Sequence, residues 1–166
     1  MYQPYPTGGQ GPGTPPQGPA PRPVSLAVRL MYAGAALSAI EIIIGLTTIG
    51  SLKTSIRSQY PHYSASQIHT AEVATIAVGV VLGAFAVGLW LWMAWANGKG
   101  KNWARIVATV LFALNTLQLL TLIGRPHAAI SLVFGLLVWL IGLGAMFFLW
   151  QRESTEYFRA MSGRQA

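Results

Sequence analysis

The chain has 166 residues, 53% of them hydrophobic and only 9% charged. A soluble domain carries about 25% charged residues, so this chain has too little charge to cover a water-facing globule, and lipid is the expected surrounding. Eleven Lys and Arg against four acids give a net charge of +7, with no Asp and no Cys. The basic excess reads as loop charge at a bilayer surface rather than a nucleic-acid site. The lack of Cys excludes disulfides, thiolate metal sites and cysteine nucleophiles.

Residues 1–23, MYQPYPTGGQGPGTPPQGPAPRP, are more than half Pro and Gly. They contain no acid and no aliphatic run. Such a segment buries too little apolar surface to offset its ordering entropy, so a disordered tail of polyproline II character is expected. PGTP and PQGP have PxxP spacing, but a solvated tail is the simpler reading. A secretory signal is not, because no basic segment leads directly into an apolar one.

Residues 24–150 hold four apolar stretches, at about 30–49, 73–96, 106–123 and 130–150. Each approaches the ~20 residues that cross ~30 Å of hydrocarbon as a helix. The predicted fold class is therefore all-α, a four-transmembrane-helix bundle. Between the first two stretches, Ser51 to Glu72 is polar and contains Pro61. After that proline, Ser64 and Gln67 have capping-box spacing, so the second helix is expected to start outside the bilayer. GRPHA forms a short connection before the fourth span, and residues 151–166 a carboxy-terminal tail.

Lys and Arg set the orientation. With both termini inside, the cytoplasmic face carries Arg22, Arg29, Lys99, Lys101, Arg105, Arg152, Arg159 and Arg164. The outer face carries only Lys53, Arg57 and Arg125. This predicts a multi-pass protein of the plasma (inner) membrane, N-in and C-in. Trp90, Trp92, Trp95 and Trp103 bracket NGKGK, and Trp150 ends the fourth span, as an inner interfacial belt would. Lys99, Lys101 and Arg105 are then candidates to face anionic lipid headgroups.

EIIIGLTTIG (41–50) aligns with NTLQLLTLIG (115–124), pairing Glu41 with Asn115, Thr47 with Thr121 and Gly50 with Gly124. The second and fourth spans share glycines nine apart, Gly79 and Gly88, Gly135 and Gly144. Two tandem hairpins of the same orientation are one explanation. Compositional likeness between apolar helices is the other.

Glu41 is the one carboxylate inside a span. At 1.5 Å per residue it lies about 16 Å from the inner end, near the midplane. A charged side chain there costs about 2.5–3.5 kcal/mol even on the lenient insertion scale, so it must face protein or water, find a partner or keep its proton. Gly34, Ser38, Glu41, Gly45 and Thr48 form one small and polar stripe at helical spacing. Asn115 and Gln118 lie at matching depth on the third span, and their amides can donate to or accept from Glu41. Gly79 and Gly83 have GxxxG spacing, and Gly135 and Gly142 share a face of the fourth span. This polar layer has two readings: uncharged glue that fixes helix register, or a proton- or cation-coupled site at the midplane.

His62, His69 and Glu72 lie in or beside the first outer loop, and His127 in the second. Solvated loop residues explain them better than a metal site. No nucleophile–base arrangement is visible, so neither an enzyme nor a cofactor is expected.

The pattern resembles a group of actinobacterial membrane proteins with no assigned activity. These share a Pro/Gly-rich tail, four spans, a GKNWARI-like start to the third span and a YFRA-like motif near the end. Here those pieces are residues 1–23, Gly100–Ile106 and Tyr157–Ala160. More narrowly, AIEIIIGLTTIGSLK (39–53) is similar to the first helix of small multidrug resistance transporters. That resemblance implies that Glu41 is a coupling residue for protons or cationic drugs. The expectation from the residues themselves is an interaction or assembly component, packing with other membrane proteins or with itself. The alternative is a small proton- or cation-coupled transporter.

Overall fold

The computed structural model describes residues 20–47, 49–122 and 129–162. The expectations for residues 1–19, Thr48, Gly124, Arg125, His127 and Arg164 lie outside these. Six helices follow in chain order: α1 (Arg22–Thr47), α2 (Ile49–Gln59), α3 (Ala65–Gly98), α4 (Asn102–Leu122), α5 (Ala129–Leu149) and α6 (Arg152–Ser162). No strand occurs among the described residues. Among them α1, α3, α4 and α5 are long and apolar enough to cross a membrane, so the protein is all-α with four candidate spans.

α1 begins at Arg22, eight residues before the apolar run expected from the sequence. Pro23 sits in its first turn, where a missing N–H removes no helical bond. Val24, Ala27 and Met31 follow on one face and are buried. The loop between the first two spans contains α2, whose Ile49, Leu52 and Ile56 recur at helical spacing. Ile56 is buried. α3 starts with the expected capping box: the Gln67 N–H donates to Ser64 Oγ at 3.3 Å, and the Ser64 N–H donates to Gln67 Oε1 at 2.8 Å. At 34 residues α3 runs about 51 Å, well beyond the ~30 Å hydrocarbon layer.

α1 packs along α3 and α5, and α5 along α4. α3 meets α4 beside their shared turn, where the rings of Trp92 and Trp103 lie 5.3 Å apart. No Cα of α1 comes within 8 Å of one in α4 among the described residues. These two helices are diagonal across the bundle.

The tight core lies at the end that holds the α3–α4 turn. Val24, Ala27, Met31, Met93, Ala94, Ala108, Ala145 and Leu149 form it, closed below by Tyr157 and Phe158 of α6. Four of these are alanines, which let neighbouring backbones approach closely. Towards the α2 end the helices splay. α3 from Val73 to Phe85 is exposed on nearly every side.

The segment read as a carboxy-terminal tail is largely the helix α6. Its Ser154, Tyr157 and Phe158 are buried, while Arg152, Glu153, Glu156 and Arg159 face outward. Its apolar face packs against the base of the bundle. Gly100 makes room for it. The residue has φ +69°, and a Cβ there would stand 2.8 Å from Met161 Cγ and 2.9 Å from Tyr157 Cε1. Only glycine tolerates both the left-handed turn and the contact.

Candidate functional site

The four spans line a partly open cavity of about 520 Å³. Each helix contributes one face at its own periodicity. α1 supplies Met31, Ser38 and Glu41, and α3 supplies Ala86, Leu89, Trp90 and Met93. α4 supplies a stripe from Ala108 to Leu119 that includes Phe112, Asn115 and Gln118, and α5 supplies Gly135, Val138, Gly142, Ala145 and Met146. The volume falls within the range of about 300–1,000 Å³ typical of small-molecule sites. The wall is mainly apolar, with a few polar groups.

Four of the expected polar-layer residues, Ser38, Glu41, Asn115 and Gln118, line this one cavity. They do not bond directly: among the described residues no hydrogen bond joins Glu41 to either amide. The helices that carry them are diagonal, so the cavity separates the groups. Nor does any Lys, Arg or His nitrogen lie within 4 Å of Glu41, the ion pair among the described residues being Arg152–Glu156. Ser38 is buried against the bundle, whereas Glu41 is exposed and lines the cavity at its open side. The fifth residue, Thr48, lies outside the described residues.

The two positions paired by the internal alignment, Glu41 and Asn115, therefore face the same space from opposite sides. Their companions behave alike locally. Thr47 Oγ1 donates to Ile44 O at 2.8 Å, and Thr121 Oγ1 to Gln118 O at 2.7 Å. Each hydroxyl bonds back into its own helix.

The glycines divide into two groups. A Cβ at Gly34 would stand 2.9 Å from the Trp90 indole, at Gly83 2.5 Å from Ile42, and at Gly142 2.9 Å from Phe112. These three permit close helix approach. A Cβ at Gly45 or Gly79 would meet nothing within 4 Å. The Gly79–Gly83 spacing thus places only Gly83 at a contact within the chain, because residues four apart diverge once the helices splay. Gly135 lines the cavity.

The basic turn also divides. Lys101 Nζ lies 4.5 Å and Lys99 Nζ 5.6 Å from the Trp95 ring centroid, two cation–π contacts on a half-exposed indole. Arg105, expected from the sequence to be lipid-facing, also contacts α6. Its Nη1 donates to Thr155 Oγ1 at 3.0 Å, and its guanidinium stacks 4.4 Å from Trp150 and 5.5 Å from Phe158. A planar cation suits this aromatic slot. Trp150 Nε1 in turn donates to Thr109 Oγ1 at 3.2 Å.

The sequence reading missed Trp90, Phe112 and the three methionines of the cavity. Trp90 was read as one of the interfacial belt, yet its indole is turned inward against Gly34. The available signal was spacing: Trp90, Met93 and Asn97 follow i, i+3, i+7 at the base of α3, where only one face can be buried. Asn97 is fully buried; its Nδ2 donates to Met93 O at 2.9 Å and reaches Met31 Sδ at 3.9 Å. Among the described residues no group of three His, Asp or Glu side chains is placed to hold a metal ion. Comparison with protein-family models, with curated proteins and with solved structures finds no match.

Proposed function

We propose that this chain is a multi-pass protein of the plasma membrane, both termini cytoplasmic, that binds a small positively charged ligand within its bundle. The observation that carries this reading is Glu41. It is a carboxylate inside a span, with no protein cation beside it among the described residues, facing a cavity that all four spans line. A charge at that depth needs a compensating partner, and a cation entering the cavity supplies one. The Trp90 and Phe112 rings add apolar and cation–π surface. Asn115 and Gln118 offer neutral acceptors opposite. A dry polar cluster would instead show the carboxyl bonded to those amides.

The test is binding of a lipophilic cation, tetraphenylphosphonium, to the purified full chain in detergent. Wild type is expected to bind with a defined stoichiometry. Glu41→Gln is expected to lose at least tenfold in affinity, and Glu41→Asp to retain part of it. Equal binding by wild type and Glu41→Gln would end this reading. Proton-driven uptake of the same cation into liposomes, abolished by Glu41→Gln, would extend it to transport.

A second reading, an assembly component of the membrane, rests on α3. No residue in its most apolar 18-residue window is buried. Such a span is free to pack on another membrane protein or a second copy. Gly79→Leu separates this from the first reading, because Gly79 has open space around it within the chain. Loss of a co-purifying partner or of a dimer band in mild detergent, with the monomer intact, is expected on this account. An unchanged complex profile would remove it.

A further inference from the structure

Four methionines lie among the described residues, and three of them line the same cavity. Met31 comes from α1, Met93 from α3 and Met146 from α5. Met31 and Met93 belong to one buried cluster, and Met146 packs against it. Each sits near the end of its span that holds the α3–α4 turn, so the three side chains line the same end of the cavity, its floor. Glu41 is ten residues beyond Met31, about 15 Å up the helix, so the floor and the carboxylate are separate regions.

We infer that this floor is a binding site for a soft monovalent metal ion, of the Cu⁺ or Ag⁺ class, held by the thioethers of Met31, Met93 and Met146. The inference rests on the cavity but not on Glu41. Thioethers are soft, neutral ligands that select such ions over Mg²⁺, Ca²⁺ or Zn²⁺. Neutral ligands in an apolar wall also suit a single charge better than a double one, since desolvation cost rises steeply with charge. Two of the sulfurs are tethered by neighbours: Asn97 Nδ2 lies 3.9 Å from Met31 Sδ, and Thr109 Oγ1 3.7 Å from Met146 Sδ. Each such contact occupies one sulfur lone pair and leaves the other for a metal. Three rotatable bonds let each side chain swing its sulfur to the ion without moving a helix. The fourth methionine, Met161, packs under the Gly100 turn on α6 and provides an internal control.

The experiment is titration of the full chain in detergent with Ag⁺ in chloride-free buffer, after labelling the methionine methyls with ¹³C. Expected are a 1:1 stoichiometry and shifts of the Met31, Met93 and Met146 methyl resonances, with Met161 unmoved. Assignments come from single Met→Leu variants, a near-isosteric change. The triple variant Met31→Leu, Met93→Leu, Met146→Leu is expected to lose at least 100-fold in Ag⁺ affinity, and Met161→Leu to lose none. Methyl shifts confined to Met161, or no saturable shift in wild type, would overturn the proposal; the wild-type spectra decide this even if the triple variant fails to fold. Glu41→Gln is expected to keep Ag⁺ binding in full. Loss of tetraphenylphosphonium binding alone in that variant separates the failure of one reading from the other.

Discussion

The indole of Trp90 on α3 packs against Gly34 on α1, so close that a Cβ on Gly34 would stand 2.9 Å from ring carbons Cδ2 and Cε2. This contact joins the two helices just above the cavity floor and turns Trp90 into the bundle. A bulky planar ring cannot yield by a rotamer hop as an alkyl end can. Gly34→Ala is therefore expected to destabilise the bundle by about 1–3 kcal/mol through overpacking. Gly79→Ala, with nothing within 4 Å, is expected to be neutral or to stabilise by up to about 1 kcal/mol through helix propensity. Paired unfolding curves in SDS titration of the detergent-solubilised chain check the contrast.

Arg105 ties α6 to α4 across 50 residues of sequence. Its Nη1 bond to Thr155, the stacking on Trp150 and the proximity of Phe158 depend on one planar cation. Arg105→Ala is expected to cost about 1.5–3 kcal/mol, the range for a hydrogen bond to a charged group, and to free α6. Arg105→Lys is expected to rescue little, because an ammonium neither stacks nor spans the slot. The readout is trypsin cleavage after Arg152 and Arg159, which should accelerate in both variants and not in Lys99→Ala.

Phe158 is fully buried at the base of the bundle. Phe158→Ala is expected to destabilise by about 3–5 kcal/mol, while Ala160→Ser on the outward face should shift stability by less than about 0.5 kcal/mol. Equal midpoints for the two variants in the same SDS titration would show that α6 does not dock.

The capping box at Ser64 stabilises an exposed helix end. Ser64→Ala is expected to cost about 1 kcal/mol locally. Its effect should appear as faster amide exchange over residues 65–68, with no change near Met93.

The orientation proposal has a direct check, because the chain has no cysteine. Gln59→Cys is expected to react with a membrane-impermeant maleimide on intact cells, and Arg152→Cys only after permeabilisation. The reverse pattern would invert the topology.

What the sequence determined by itself was the class of solvent, the four spans and the face of α1 that carries Glu41. Those follow from local quantities: charge density, run length and helical period. The capping box at Ser64 was legible for the same reason, since its two partners are three residues apart. Even the shared depth of Glu41, Asn115 and Gln118 could be counted from rise per residue.

Only the tertiary structure decided whether those groups touch. Counting residues gives depth but not azimuth between helices, and the diagonal placement of α1 and α4 opens a cavity where a hydrogen-bonded layer was one expectation. Azimuth also decided which glycines meet a neighbour, turned Trp90 inward and brought Arg105 against α6. The methionines show the same limit. Each is an ordinary apolar residue in its own helix, and the packing of three spans around one cavity floor is what brings them to a common space.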